Sequence, residues 1–206
     1  MLVPEVRKES VNIMSAPKIL CFAGSTRSGS WNARLASLAA ESVRAAGGVP
    51  TLISLRDYPM PLFDEDLESA SGMPGPAAEL KQIFLQHQGL VIASPEYNSS
   101  LSGVLKNTID WVSRSAPGEP PKAAFLGKTA AIMSASPGGL GGIRGLVHLR
   151  SILQNIGILV LPDQLTISSA HQAFTPEGHL AKDSAEATLN QLCRDLVRVT
   201  SQLMVR

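Results

Sequence analysis

The 206-residue chain is 44% hydrophobic, and its 18 Lys and Arg residues nearly balance its 17 Asp and Glu residues, which gives a formal net charge of +1. This length suits one domain with a complete hydrophobic core, which needs no disulfide or metal to hold it together. The near-neutral charge disfavours nucleic acid and anionic membrane surfaces as partners.

The first 16 residues predict a disordered extension that precedes a single domain at 17–206. Four charged residues lie between positions 5 and 9, and this stretch lacks the apolar segment of a secretory signal. Translation starts at Met1 or Met14 in this interpretation. No apolar run in the sequence approaches the length of a membrane span, so we expect no membrane partner.

Short apolar runs alternate with amphipathic stretches along the rest of the chain. The strong runs lie at 19–23, 90–93, 129–133 and 158–161, with a weaker one at 51–55. Continuous apolar runs are typical of parallel strands that are buried on both faces. Helical patterns fall between and after them, at 32–46, 77–87, 102–114, 143–156 and 189–203.

This alternation predicts an α/β fold built from βαβ units. We expect a flavodoxin-like three-layer sandwich, in which a five-stranded parallel sheet of order 2-1-3-4-5 carries helices on both faces. Residues 57–76 contain four prolines with acidic residues between them, and predict a long loop at the rim of a site or at an interface.

The two cysteines, Cys21 and Cys193, both fall on apolar patterns. Two such cysteines do not form a disulfide framework, and we interpret them as small buried hydrophobes. Reduced thiols are typical of a cytoplasmic location.

The first candidate site loop follows the first strand and leads directly into a helix. Residues 24–32 read GSTRSGSWN. Backbone N–H groups at a helix start, serine hydroxyls and an arginine together suit a phosphate group. Ser30 stands where a P-loop requires lysine, and the G-x-G-x-x-G fingerprint is absent, so an NTPase or a Rossmann-type NAD site is disfavoured. A capped helix with a polar lead-in is the alternative.

Two further loops should meet the first at the same edge of the sheet, where open α/β sheets bind ligands. After the third strand, residues 94–103 read SPEYNSSLSG, which can lay backbone amides and Tyr97 along a planar ring, or can be a plain proline-initiated turn. After the fourth strand, residues 134–142 read SASPGGLGG, and glycines there permit close approach of a ligand or give a flexible connection. A ligand with a phosphate end and a flat end, such as FMN, fits all three loops.

These motifs resemble those of the NADPH-dependent FMN reductase family. Residues 24–30 together with Asn32 resemble its G-S-x-R-x-G-S-x-N loop. Residues 95–98, followed by Gly103, 105–107 and 109–111, are similar to its P-E-Y-N…G-x-L-K-N-x-I-D-W signature. The resemblance spans about residues 17–200, and is closest to the branch of chromate- and quinone-reducing flavoenzymes.

The resemblance implies a ping-pong enzyme in which NAD(P)H, as NADPH or NADH, reduces bound FMN and a small acceptor then reoxidises it. The acceptor would be a quinone, chromate, an azo compound or free flavin. The flavin carries the chemistry, so we expect no catalytic side chain and no metal. The implied phosphate contacts are Ser25, Arg27, Ser30 and Asn32. The implied ring contacts are Pro95, Glu96, Tyr97, Asn98, Ser136, Gly138 and Gly139.

The family resemblance also implies a homodimer or homotetramer, and Trp111 with the apolar side of its helix is a candidate interface. The rival hypotheses are a flavodoxin-type electron carrier and a redox sensor, neither with NAD(P)H turnover. Carriers of that type are usually strongly acidic and have a T-x-T-G-x-T phosphate loop, whereas this chain is nearly neutral and lacks that loop. The intact loops argue against a sensor.

Overall fold

The computed structural model describes residues 15–204. The predicted disordered extension at 1–16 therefore lies outside the described residues, apart from its last two positions. Within the described part, the strands in chain order are β1 Lys18–Ala23, β2 Val49–Ser54, β3 Gly89–Ala93, β4 Glu96–Tyr97, β5 Ser100–Leu101, β6 Thr129–Ala135, β7 Leu159–Val160 and β8 Leu165–Ile167.

The main sheet is parallel and has the order β2-β1-β3-β6-β7, which confirms the flavodoxin-like order 2-1-3-4-5. The predicted single fifth strand is wrong in detail, because it is divided into two short pieces. β7 pairs with the beginning of β6 and β8 pairs with its end. Pro162 lies between the pieces, and since proline has no N–H to donate, it interrupts the ladder there.

Between residues 15 and 204, six α-helices accompany the strands. Five of them correspond to the predicted stretches within a few residues, although the last begins earlier than expected. They are α1 Trp31–Ala45, α2 Glu65–Ser71, α3 Gly75–Leu85, α4 Gly103–Val112, α5 Ile143–Asn155 and α6 Asp183–Leu203. The prediction of an unbroken loop at 57–76 is wrong, because α2 lies inside it. The Asp64 carboxylate accepts hydrogen bonds from the N–H groups of Asp66 at 2.7 Å and Leu67 at 3.2 Å, which caps this helix.

The helices cover both faces of the sheet, so the predicted three-layer sandwich is confirmed. Side chains of α1 and α6 pack on one face, and side chains of α3, α4 and α5 pack on the other. β3 shows the division, because Val91 lies in the first core and Ile92 in the second. Cys21 and Cys193 are free and buried in the first core, where burial raises the pKa of both thiols, that of Cys193 to about 12.

Trp111 is fully buried within its own chain. Its indole N–H donates to the Pro61 carbonyl at 2.9 Å, and its ring meets Phe63 edge-on with centroids 5.0 Å apart. Asn107 supports the same segment by donating to the Pro61 carbonyl at 2.8 Å and accepting from the Phe63 N–H at 2.8 Å. The expectation that Trp111 lies at a subunit interface is therefore wrong; it holds the proline-rich segment against α4.

Candidate functional site

Three loops meet at the carboxyl edge of the sheet because β1, β3 and β6 are neighbours. Backbone hydrogen bonds continue past the strand ends: the Gly24 N–H donates to the Ala93 carbonyl at 2.9 Å, and the Ser94 N–H donates to the Met133 carbonyl at 2.8 Å. The loops after these strands therefore begin side by side, as ligand-binding loops of open α/β sheets do.

The loop after β1 presents hydrogen-bond donors at the start of α1. Ser30 caps the helix, with its hydroxyl oxygen accepting from the Ala33 N–H at 3.4 Å. Within residues 15–204, the N–H groups of Thr26, Ser28 and Gly29 donate to no protein acceptor. The positive end of the helix dipole adds to these free donors. Such a donor set fits a phosphate monoester, which is the anionic end of FMN.

Arg27 adds a cation to this loop. Its guanidinium lies over the Trp31 ring, 5.0 Å from the centroid, and a cation–π contact of this kind holds it near the helix start. The side chain of Ser25 is also in the loop, where its hydroxyl oxygen accepts from the Arg27 N–H at 3.2 Å. Ser25, Arg27 and Ser30 thus lie in one short loop that leads into α1.

Asn32, the fourth member of the predicted phosphate set, uses both the donor and the acceptor of its side-chain amide in contacts with β6. Its side-chain amide donates to the Ala135 carbonyl at 2.8 Å and accepts from the Ala135 N–H at 2.9 Å. The residue is buried. This pair of hydrogen bonds ties the beginning of α1 to the end of β6, so the structure favours a positioning role for Asn32 over direct phosphate contact.

Two supporting residues were missed in the sequence. The Ser102 hydroxyl donates to the Gly24 carbonyl at 2.5 Å and accepts from the Leu105 N–H at 3.2 Å, which joins the first loop to α4. A serine just before a helical pattern is a recognisable capping signal. Arg56 donates from Nε and Nη2 to the Thr26 carbonyl at 3.1 and 2.8 Å. No local sequence signal pointed to that contact.

The loop after β3 forms a tight hairpin rather than a proline-initiated turn alone. Glu96 pairs with Leu101 and Tyr97 with Ser100. The two residues at its tip, Asn98 and Ser99, have positive φ values of 50° and 66°, which suit the two central residues of a type I′ turn. Pro95 is buried below the hairpin, whereas Tyr97 and Asn98 are exposed at its end. The tip is therefore the part of this loop that can meet a planar ring.

Glu96 connects the hairpin to α5. Its carboxylate accepts from the N–H groups of Arg144 at 3.0 Å and Gly145 at 3.1 Å, and from the Arg144 guanidinium at 2.8 and 2.5 Å. Burial of this carboxyl opposes its ionisation, but the hydrogen bonds from Arg144 and Gly145 outweigh burial and hold the pKa below its usual value. Glu96 thus holds the hairpin and α5 together as an ionised, fully engaged group.

The loop after β6 is the third loop at this edge of the sheet. The Ser136 hydroxyl oxygen accepts from the Gly138 N–H at 3.3 Å, and Gly138 and Gly139 are exposed. Among the residues from 15 to 204, a side chain added at Gly139 would meet no atom within 4 Å, and one at Gly138 would meet only Ser136. The bare backbone of these glycines therefore allows a flat ligand to come close.

Comparisons with known proteins agree with this arrangement. Residues 17–172 match the family described as NADPH-dependent FMN reductase. An NAD(P)H-dependent FMN reductase of Pseudomonas aeruginosa is 39% identical over 193 residues, which cover 92% of this chain and 95% of that protein. A quinone reductase of Escherichia coli K12 is 37% identical over 144 residues, which cover 70% of this chain and 73% of the relative.

Solved structures agree on the fold. The flavoenzyme NAD(P)H:(acceptor) oxidoreductase FerB of Paracoccus denitrificans matches with a TM-score of 0.74 at 21% identity, covering 90% of this chain and 98% of that chain. A flavodoxin from the domain Archaea matches with a TM-score of 0.55 at 12% identity, covering 89% of this chain and 98% of that one. Such likeness shows a shared flavodoxin-like architecture.

Proposed function

The chain belongs to the NADPH-dependent FMN reductase family and is an FMN-dependent oxidoreductase that uses NAD(P)H; we propose that it reduces a small acceptor by a ping-pong mechanism. The acceptor is a quinone, chromate, an azo compound or free flavin in this proposal. The observation that carries the proposal is that three loops meet at one edge of the sheet. The loop after β1 offers hydrogen-bond donors for a phosphate, and the hairpin after β3 and the glycine loop after β6 offer exposed backbone for a flat ring.

The residues divide into those that would contact FMN and those that hold the contacts in place. Ser25, Arg27, Ser30 and the free N–H groups of their loop would bind the phosphate. The flavin ring, when bound, would supply the redox chemistry by accepting a hydride and passing on two electrons. The exposed residues that would border it are Tyr97, Asn98, Gly138 and Gly139.

The remaining members of the predicted set hold the loops of the site in place. Pro95 lies under the hairpin, Glu96 joins the hairpin to α5, Ser136 orders the glycine loop, and Asn32 joins α1 to β6. Donor and acceptor must both reach the same ring, so we propose that they occupy the same surface in turn. This alternation is what a ping-pong mechanism requires.

An anaerobic titration of the FMN-loaded protein tests the proposed activity. We expect NADPH or NADH to bleach the visible flavin band, and a quinone added afterwards to restore it. Free FMN at the same concentration is the control, because it shows how much reduction needs no protein. If FMN binds but neither donor bleaches it, the protein is a carrier or a sensor and the reductase proposal is wrong.

We also propose that the protein is a homo-oligomer, and that a second copy covers the beginning of α5. Leu140, Ile143 and Val147 are 57%, 41% and 60% exposed and recur every three or four residues. An exposed apolar row of this kind is typical of an interaction surface. Sedimentation should show an oligomer that Val147→Glu weakens without a loss of secondary structure, whereas a monomeric wild-type protein would contradict the proposal.

In the part of the chain that the structure describes, no helix combines the length and the apolar character that crossing a bilayer requires. We propose a cytoplasmic location because the enzyme draws on NAD(P)H and because its two thiols are free and buried. A fractionation experiment with an antibody against the protein would test it.

A further inference from the structure

Arg56 reaches the candidate phosphate loop from the neighbouring strand. It lies in the short 3-10 helix Leu55–Asp57 directly after β2, where the Ser54 hydroxyl oxygen accepts from its backbone N–H at 3.3 Å. Its guanidinium donates two hydrogen bonds to the Thr26 carbonyl, from Nε at 3.1 Å and from Nη2 at 2.8 Å. We propose that Arg56 is a positioning residue that makes this loop selective for a phosphorylated flavin.

The contact fixes the orientation of one peptide unit. In a trans peptide the carbonyl and the following N–H point in opposite directions. Because the Thr26 carbonyl points towards Arg56, the Arg27 N–H points away from it, and this N–H donates to the Ser25 hydroxyl at 3.2 Å. Arg56 thus keeps the negative end of the Thr26 carbonyl turned away from Ser25. The Arg27 N–H is turned towards Ser25 as a result.

The positive charge of Arg56 also favours a phosphate in this loop. Among residues 15–204, no carboxylate lies within ion-pair distance of the guanidinium of Arg56 or of Arg27. Two cations without an acidic partner therefore flank one short loop. Their field favours a dianionic phosphate over a neutral hydroxyl at the same position, so they discriminate FMN from riboflavin.

Equilibrium binding of FMN and riboflavin, followed by flavin fluorescence, separates this role from a general structural one. The inference rests on the proposed function, so the wild-type protein should bind FMN more tightly than riboflavin. Arg56→Ala should weaken FMN binding about tenfold, because the loop loses a nearby cation and the contact that orients its Thr26–Arg27 peptide, and should change riboflavin binding less than about threefold.

Arg56→Lys should fall between the wild type and Arg56→Ala, because lysine keeps the charge but cannot make the two-pronged contact. Arg194→Ala is the matched control, since Arg194 is an exposed arginine on α6, distant in sequence from the loop, whose guanidinium donates to Gln191. It should leave both affinities unchanged. Thermal unfolding of the flavin-free variants should match the wild type, because the Arg56 side chain is exposed.

Two results would overturn the role of Arg56 alone: unchanged FMN affinity in Arg56→Ala, or an equal loss of affinity for both flavins. A wild-type protein that binds neither flavin would overturn the proposed function as well. Failure of the Arg56 role and failure of the proposed function are distinguishable, because only failure of the proposed function is seen in the wild-type protein.

Discussion

Gly142→Ala is expected to lower the free energy of unfolding by about 3 kcal/mol. Gly142 precedes α5 and has a φ of 88°, a region that costs an alanine about 1–2 kcal/mol. A Cβ built there would lie 2.0 Å from the Ser134 hydroxyl oxygen and 2.8 Å from its Cβ, closer than atoms can approach. Relieving such overpacking costs about 1–3 kcal/mol more.

Urea unfolding of Gly142→Ala beside Gly139→Ala would measure this effect. Gly139 belongs to the same loop, does not have a positive φ, and has open space where a Cβ would lie. Its replacement should therefore stay within about 0.5 kcal/mol of the wild type. Equal stability of the two variants would show that the backbone at Gly142 relaxes freely and would contradict the prediction.

A second substitution separates the two causes. Ser134→Gly removes the atoms that the new methyl group would strike, so the Gly142→Ala, Ser134→Gly double variant should be more stable than the sum of its single effects predicts. The loss of stability that Gly142→Ala still causes in the Ser134→Gly background is the cost of the left-handed backbone at position 142. Since Ser134 is buried on β6, this comparison also tests whether β6 and α5 are held at a fixed distance.

The main sheet could be predicted because each of its strands is marked by the residues of that strand alone. β1, β3 and β6 each contain a continuous apolar run, at 19–23, 90–93 and 130–133, which is the pattern of strands covered on both faces. The helices between them then leave few possible topologies. The two errors in secondary structure also have local causes: Pro162 interrupts the fifth strand, and the flanking prolines of α2 concealed the capping signal of Asp64.

The location of the site was predictable for the same reason, but the partners of its residues were not. Asn32 bonds to a residue 103 positions away, Glu96 to one 48 away and Arg56 to one 30 away. Each of these contacts exists only after neighbouring strands have brought their loops together. A motif shows which residue types a site uses, whereas folding decides which of them face the ligand and which hold the loops.

Glu96→Ala is expected to lower the free energy of unfolding by about 3 kcal/mol. The carboxylate caps α5 and receives the Arg144 guanidinium, and its side chain is 8% exposed. Loss of a helix cap costs about 1 kcal/mol, and loss of charge-assisted hydrogen bonds costs about 1.5–3 kcal/mol. Asp110→Ala is the control, because its ion pair with Lys106 is more exposed and should contribute less than about 1 kcal/mol.

The contribution of Glu96 should depend on pH in a defined direction. Its folded-state pKa lies below the ordinary value of 4.5, so near that pH the unfolded chain binds more protons than the folded one. The stabilisation is fully present above pH 4.5 and is lost as the pH falls through the lower folded-state pKa. The stability difference between wild type and Glu96→Ala should therefore be constant near neutrality and shrink in acid; a difference that stays constant down to pH 3 would contradict this.

Glu96→Ala should change the affinities for FMN and riboflavin in a different ratio from the Arg56 variants. Glu96 joins the first strand of the hairpin to α5, whereas Arg27 and Arg56 are held by contacts in which Glu96 takes no part. Affinity for FMN and for riboflavin should therefore fall by the same factor, because both flavins share the ring and only FMN has the phosphate. A selective loss of FMN binding in Glu96→Ala would mean that the hairpin and the phosphate loop do not act as separate parts of the site.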